Sequence, residues 1–284
     1  MTLFRLVPPL APGLAGDRGT TGPDSMVWLV ARERAVTLGG LSALLLQVAH
    51  PLVAAGVAEH STFQTEPLHR LRRTLELLLV TTFGDQQQAT EMANSVRQVH
   101  RSIRGTTSHS AGRWQAGTHY SAMNPELCMW VYATLVELSL DSFDVFVRTL
   151  TFDERARYYY ESETFGRLLG VTSQVRPGTY YEFRDYYQRM LHQLVVDEQA
   201  LGISQSVLSS KLYRIPLSTL GRVIAAGLLP ASTRAAYGLR WDRTDRAFWW
   251  ICRHGVRFMT RRLAPAQLRY WQHYHMAIQR CAQA

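Results

Sequence analysis

Lysine is almost missing from this chain of 284 residues: Lys211 stands alone beside 30 arginines. The formal charge is +9. Yet the arginines run from end to end instead of gathering in one tract, and a preference for arginine over lysine this strong fits GC-rich codon usage. A nucleic-acid partner, argued by charge alone, is therefore not expected. Attraction to an anionic surface or an acidic ligand is what the basic balance leaves open. Cysteine is scarce too. Cys128, Cys252 and Cys281 are odd in number and far apart, and they form no CxxC pair. This excludes a disulfide framework and a zinc knuckle and agrees with a reducing cytoplasm. The opening "MTLFRLVPPLAPGLAGDRG" has three prolines and no uninterrupted apolar run, so no cleaved export signal is expected and the expected location is cytoplasmic.

Several chemistries lack their residues. The chain has no GxxxxGK[ST] phosphate loop, no GxGxxG, no HExxH and no GxSxG. Asp141 and Asp144 in "DSFD" resemble half of a magnesium motif for prenyl diphosphates, but no second acidic cluster completes it. Paired Glu-x-x-His elements of a di-iron bundle are absent as well. Alternating strand patterns are also missing, which makes the class all-α: one helical domain over residues 23–284 behind an extended, Pro- and Gly-rich arm over 1–22.

What is present is helical periodicity. Asp24 or Ser25 caps a first helix. Residues 38–58, "LGGLSALLLQVAHPLVAAGVA", carry no formal charge and are long enough to cross a bilayer. Pro51 breaks the hydrogen-bond ladder there, so two buried helices, 38–49 and 52–60, are expected instead. The run and the basic charge together still allow membrane association. Further helices follow in "PLHRLRRTLELLLVTTFG", "ATEMANSVRQVHRSIRG", "NPELCMWVYATLVELSLDSFDVFV", "FDERARYYYESETFGRLLG", as one long element over 178–202, and as about three more from 216 to 284.

Two places carry candidate chemistry. In "SVRQVHRSIRG", His100 shares a stripe with Val96, Val99 and Ile103, opposite Arg97, Arg101 and Arg104, so it faces inward. Periodicity is satisfied equally by a hydrogen-bonded core histidine and by an iron-binding imidazole. His50 and His60, in apolar or border contexts, read as core histidines. In "RLRRT", Arg70 and Thr74 lie one turn apart with Arg73 beside them, next to the stripe Leu71, Leu75 and Leu78. This is either a solvated helix edge or a pocket wall that binds a carboxylate or a small oxygen ligand.

Four segments in this order carry a resemblance: "ALLLQVAHPLVAAGVAEHSTF", Arg70-x-x-x-Thr74 followed by Phe83 and Gly84, "VHRSIRG", and "YSAMNPELCMWVYATLVE". Together they resemble the MpaB/rubber oxygenase family, which includes the latex clearing proteins, with similarity from about Gly22 to "LRYWQHY". The resemblance implies a haem b protein with a globin-like helical core that uses dioxygen on a hydrophobic olefinic or isoprenoid substrate, with oxidative cleavage of a carbon–carbon double bond as precedent. It makes His100 the proximal iron ligand and sets Arg70 and Thr74 near the haem, with Arg73 beside them in the catalytic group. The helices around 38–60 and 127–140 are the expected pocket walls. Two positions depart from the pattern. Arg73 stands where rubber-cleaving members have a lysine able to reach the distal iron position; a guanidinium stays protonated and ligates poorly. Tyr132 in "WVYATL" replaces a family histidine, and a packed aromatic is the reading for it. The alternative function is a haem- or lipid-binding sensor or carrier without turnover. Peripheral membrane contact and a homo-oligomer are both compatible with either.

Overall fold

The computed structural model describes residues 7–60, 67–209, 211–212, 215–216 and 219–283; for 67–71, 211–212 and 215–216 it describes the backbone. Ser25 is the first cap used, accepting from the Trp28 amide at 3.1 Å to start α1 (Met26–Ala31). Glu161 adds a carboxylate at the same helix end, accepting from the Met26 amide at 2.5 Å. A 3-10 turn (Arg34–Gly39) leads into α2 (Gly40–Val48) and α3 (Pro51–His60), with a 104° bend between them. Pro51 sits at the first position of α3, where its missing N–H costs nothing. The expected division at this proline is thus present, and both helices are largely buried. No single described helix is long and apolar enough to cross a membrane.

Helices α4 (Pro67–Phe83) and α5 (Gln86–Ser102) are joined through Gly84 and Asp85, whose carboxylate forms a capping box with Gln88. A connection this short makes them antiparallel neighbours, and they pack on each other. Next come the short antiparallel strands β1 (Arg104–Thr106) and β2 (His119–Ser121), then α6 (Pro125–Phe146), capped by Asn124 with Pro125 at its first position. The core is built around α6. Trp130, Tyr132, Ala133, Leu140 and Phe146 are fully buried on it, and it touches α1, α2 and four of the helices that follow it. Its closest neighbour is the 3-10 turn, because Gly39 has no side chain to collide with Ser142.

Beyond α6, three expectations from periodicity are corrected. "FDERARYYYESETFGRLLG" forms two helices, α7 (Phe152–Glu161) and α8 (Glu163–Leu169), interrupted at buried Ser162 and ended by Gly170 at φ 100°. The long element over 178–202 is α9 (Tyr180–Gln193) and α10 (Glu198–Leu208). Between them the extended Val195 donates its amide to Ala49 at 2.9 Å, and Asp197 caps the restart. The C-terminal part holds five helices instead of about three: α11 (Leu220–Leu228), α12 (Ala231–Ala236), α13 (Arg243–Phe258), α14 (Ala266–Arg269) and α15 (Gln272–Cys281). A π-helical turn, Met259–Leu263, continues α13. The expected all-α class holds: the protein is mostly helical, and β3 (Lys211–Leu212) and β4 (Ile215–Pro216) add only a second minimal strand pair.

The N-terminal arm has no regular structure over 7–24 but does not float. Val7 and Leu10 are buried with Trp28, Leu79, Phe83, Trp271 and Ala277. Buried Arg280 on α15 fastens it, its guanidinium donating to the carbonyls of Asp17, Phe83 and Gly84 at 2.9–3.1 Å. Glu33, almost fully enclosed, receives Arg269 through two bonds of 2.8 and 2.6 Å, which ties α14 to the 3-10 turn.

Candidate functional site

His100 occupies the last turn of α5 and is half-buried. Its carbonyl accepts from the Ile103 amide at 3.1 Å, which closes the helix. The inward stripe expected around it is only partly realised. Val96 packs against the main core and Ile103 against Leu52, Ala55, Tyr120 and Leu127, but Val99 is exposed. The helix ends at Ser102, so one turn above the exit the stripe already rolls toward solvent. Of the opposite face, Arg101 and Arg104 are exposed, as expected, while Arg97 reaches the Arg167 carbonyl.

Arg70 is level with His100. Both α4 and α5 have 17 residues and share one tight turn, so each of these residues lies about four helical turns from Gly84 and Asp85. The side chain of Arg70, like that of Leu71, lies outside the described residues. Thr74 is half-buried about one turn nearer the connection, and Arg73 is exposed. On the same helix the deepest burial is at Leu77, Leu79 and Phe83, with Leu75 and Leu78 only partly covered.

The loop end of α3 meets this end of α5 through the first hairpin. Tyr120 of β2 is buried, and its hydroxyl donates to Glu59 at 2.5 Å and lies 3.1 Å from His60 Nε2. Burial, aided by the Glu59 carboxylate, holds the phenol well above its ordinary pKa, so it remains a donor at any physiological pH. Gly105 is required beside it, because a Cβ there would sit 2.7 Å from the Tyr120 oxygen. Sequence reasoning treated His60 as a core residue; it is exposed and belongs to this polar group, and Glu59 and Tyr120 were not singled out at all. A signal existed in the "AEH" ending of an otherwise uncharged helix.

His50 is buried at the bend between α2 and α3, its ring 5.7 Å from that of Trp114 and its Nδ1 without a partner. Burial, with Arg113 nearby, lowers its pKa to about 4, so the imidazole is neutral. Tyr132 is fully enclosed on α6, with its hydroxyl 2.7 Å from Ser162 Oγ and its ring tilted against Tyr159 and Phe165. It is a packed aromatic with one satisfied hydrogen bond, as read from the sequence.

The acidic residues of "DSFD" meet a guanidinium and not a second carboxylate cluster. Arg155 of α7 pairs with both Asp141, at 3.1 Å, and Asp144. One turn earlier on α6, buried Glu137 faces Arg184 at 3.4 Å and Arg155 at 3.9 Å. Burial first and Asp141 second outweigh the two arginines and push Glu137 up to about 7. Among the described residues no group of three or more His, Cys, Asp or Glu side chains could hold a metal ion. A bare-metal centre therefore has no donor set there. A haem would require a single side-chain donor from the protein, and a half-buried imidazole such as His100 is of the chemical type that would hold one.

The chain's residues 27–261 match the family model described as ER-bound oxygenase mpaB/B'/Rubber oxygenase, catalytic domain. Two mycobacterial proteins are similar at lower identity: "Uncharacterized protein Rv2237" of Mycobacterium tuberculosis and "Uncharacterized protein Mb2261" of Mycobacterium bovis. Each is 25% identical over 217 residues, which is 73% of this chain and 82% of the relative. No solved structure matches.

Proposed function

Because the chain belongs to the mpaB/rubber oxygenase catalytic-domain family, we propose that it is a haem b-dependent oxygenase acting with dioxygen on a hydrophobic, olefinic or isoprenoid substrate. The observation that carries the haem assignment is His100: a half-buried imidazole at the end of α5, level with Arg70 across the α4–α5 hairpin. Haem, when bound, supplies dioxygen binding and activation. In this reading His100 Nε2 or Nδ1 holds the iron, and the other ring nitrogen donates to a neighbour that fixes the tautomer. Arg70 would bring a positive charge to this site and Thr74 a hydroxyl able to hydrogen-bond a polar group of the substrate. Arg73 is exposed on α4, and a guanidinium is a poor metal ligand, so this reading gives it no contact with the iron. A globin-like arrangement of α4, α5 and their neighbours around the cofactor is part of the same proposal.

Oxidative cleavage is the family precedent. Its balance is simple: both atoms of dioxygen enter the product, the carbon–carbon double bond breaks, and two carbonyl groups form. The apolar cluster of Leu52, Ala55, Ile103 and Leu127 offers a surface for an aliphatic chain, while Tyr120 remains a proton donor at its edge.

The experiment is a visible absorption spectrum of the purified protein with iron analysis, repeated for His100→Ala. A Soret band in the parent and its loss or strong change in the variant is the expected result; an unaltered haem spectrum in His100→Ala overturns the ligand assignment. Arg73 and the enclosed Tyr132, the two departures from the pattern that the resemblance implies, favour one competing reading, a haem or lipid binder without turnover. Ferrous protein mixed with dioxygen and polyisoprenoid lipids separates the two. Oxygenated product supports the enzyme, and a stable oxygen complex without consumption supports the binder.

A further inference from the structure

From residue 246 to residue 284 the sequence has seven arginines and no aspartate or glutamate. The last acidic group before it, Asp245, is buried and paired with Arg222 and Arg240. Within this stretch α13 is amphipathic in an unusual sense. Its inner face is built from Phe248, Trp249, Cys252, Val256 and Arg257, the last reaching the Asp144 carbonyl. Its outer face is also apolar: Trp250 is 61% exposed, Ile251 59% and Phe258 56%. Ala247, His254 and Gly255 lie on the same arc, and no acidic group interrupts it.

The patch continues past the helix through Met259, Leu263 and Leu268, each at least half exposed. Beside it an open groove of about 370 Å³ runs between α13 and the 3-10 turn, walled mainly by Ala35, Ile251, Val256, Met259 and Leu268. Exposed Arg243 and Arg246 flank one end of the apolar face, and exposed Arg261 and Arg262 the other. Large apolar side chains grouped in this way on a protein surface mark a docking site. Two features choose the occupant. Aromatic and aliphatic side chains framed by arginines are the make-up of a helix lying in a headgroup layer. A second copy meeting this face around a two-fold axis would bring arginines against arginines, and the exposed carboxylate at that end, Asp242, is already paired with Arg240.

We propose that the outer face of α13, with the turn Met259–Leu263 and Leu268, docks onto the surface of an anionic phospholipid bilayer. Trp250, Ile251 and Phe258 enter the interface, Arg246, Arg261 and Arg262 meet phosphates, and the groove accepts an acyl chain. The docking stands on these surface residues and does not depend on the haem assignment.

The test is co-sedimentation of the full chain with phosphatidylcholine vesicles, with and without phosphatidylglycerol, at several salt concentrations. Binding is expected to the anionic vesicles and to weaken with salt. Arg261→Ala with Arg262→Ala should weaken it roughly 30-fold at low salt, from about a fivefold effect per arginine near the surface. Trp250→Glu with Phe258→Glu should weaken it by more than about tenfold while the thermal melt stays in place. Equal partition onto both vesicle types, absence of binding, or full binding by the Trp250→Glu, Phe258→Glu variant overturns the proposal. So does a homodimer in light scattering that the same variant dissociates, because the face is then covered by a second copy.

Discussion

Residues 38–58 carry no charge and look, in sequence, like the part of the chain that seeks a membrane; 243–268 are studded with arginines and look like a solvated surface. In three dimensions the two exchange roles. Leu45, Leu46, Val48, Ala49 and Ala54 of α2 and α3 are fully enclosed, whereas Trp250, Ile251 and Phe258 of α13 face water. The bend of 104° at Pro51 explains the first case: it folds the apolar run back so that each half buries itself against the rest of the chain. The second follows from α13 lying at the edge, where its inner face meets the core and its outer one is left exposed among the described residues. Total hydropathy therefore says less about what an element touches than the number of its faces that are apolar.

The sharpest way to break this contrast is to cut into the first region. Leu46→Ala removes a fully buried side chain from the centre of the core and should lower stability by about 2–5 kcal/mol, read by urea unfolding. A loss below about 1 kcal/mol would mean that the α2–α3 pair is not packed as described. Next in size is an acid effect at the bend. His50 has its pKa lowered from 6.5 to about 4 by burial, so the unfolded chain takes up its proton first. Its stabilising contribution is full above pH 6.5 and fades as the pH falls toward 4, up to about 3 kcal/mol in all. His50→Gln should flatten that part of the unfolding profile; an unchanged slope between pH 6.5 and 4 would show that the ring is already hydrated in the native state. The same window contains an opposing group, Glu137, whose raised pKa makes stability fall as the pH rises. The variant comparison, not the parent's curve alone, isolates the histidine.

Much of the fold was legible because its signals are local. Ser25 and Asn124 cap helices by reaching an amide two or three residues ahead, and Pro51 acts on its own backbone. What could not be read depends on distant partners. The break at 194–197 comes from the Val195 amide bonding to Ala49, and the pairing of Arg155 with Asp141 and Asp144 spans two helices. In the candidate site the same division holds. The placement of His100 on a helix with a partly apolar flank followed from periodicity, but the exposure of Val99 and the Glu59–Tyr120–His60 group needed the hairpin that packs onto α3. Arg70 and Thr74 share the hairpin with His100 only because α4 and α5 are equal in length.

The smallest expected effect is the most informative about α13, because it sets neighbours in sequence against each other. Trp249 is half-buried and meets Phe146 edge to face at 5.9 Å, whereas Trp250 is exposed and has, among the described residues, His254 at 4.6 Å as its ring neighbour. Trp249→Ala should cost about 2 kcal/mol, somewhat less than a fully buried aromatic. Trp250→Ala should change stability by no more than about 0.5 kcal/mol, a shift of about 1–2 °C in Tm. Both are read by calorimetry without lipid. A large loss at Trp250 would mean that its ring is covered in the free protein, by a second copy or by chain outside the described residues, and the outer face of α13 would then belong with α2 and α3 as interior. A near-silent Trp250 beside a costly Trp249 leaves the exposed ring with no role in folding, which is the condition a membrane-docking side chain has to meet.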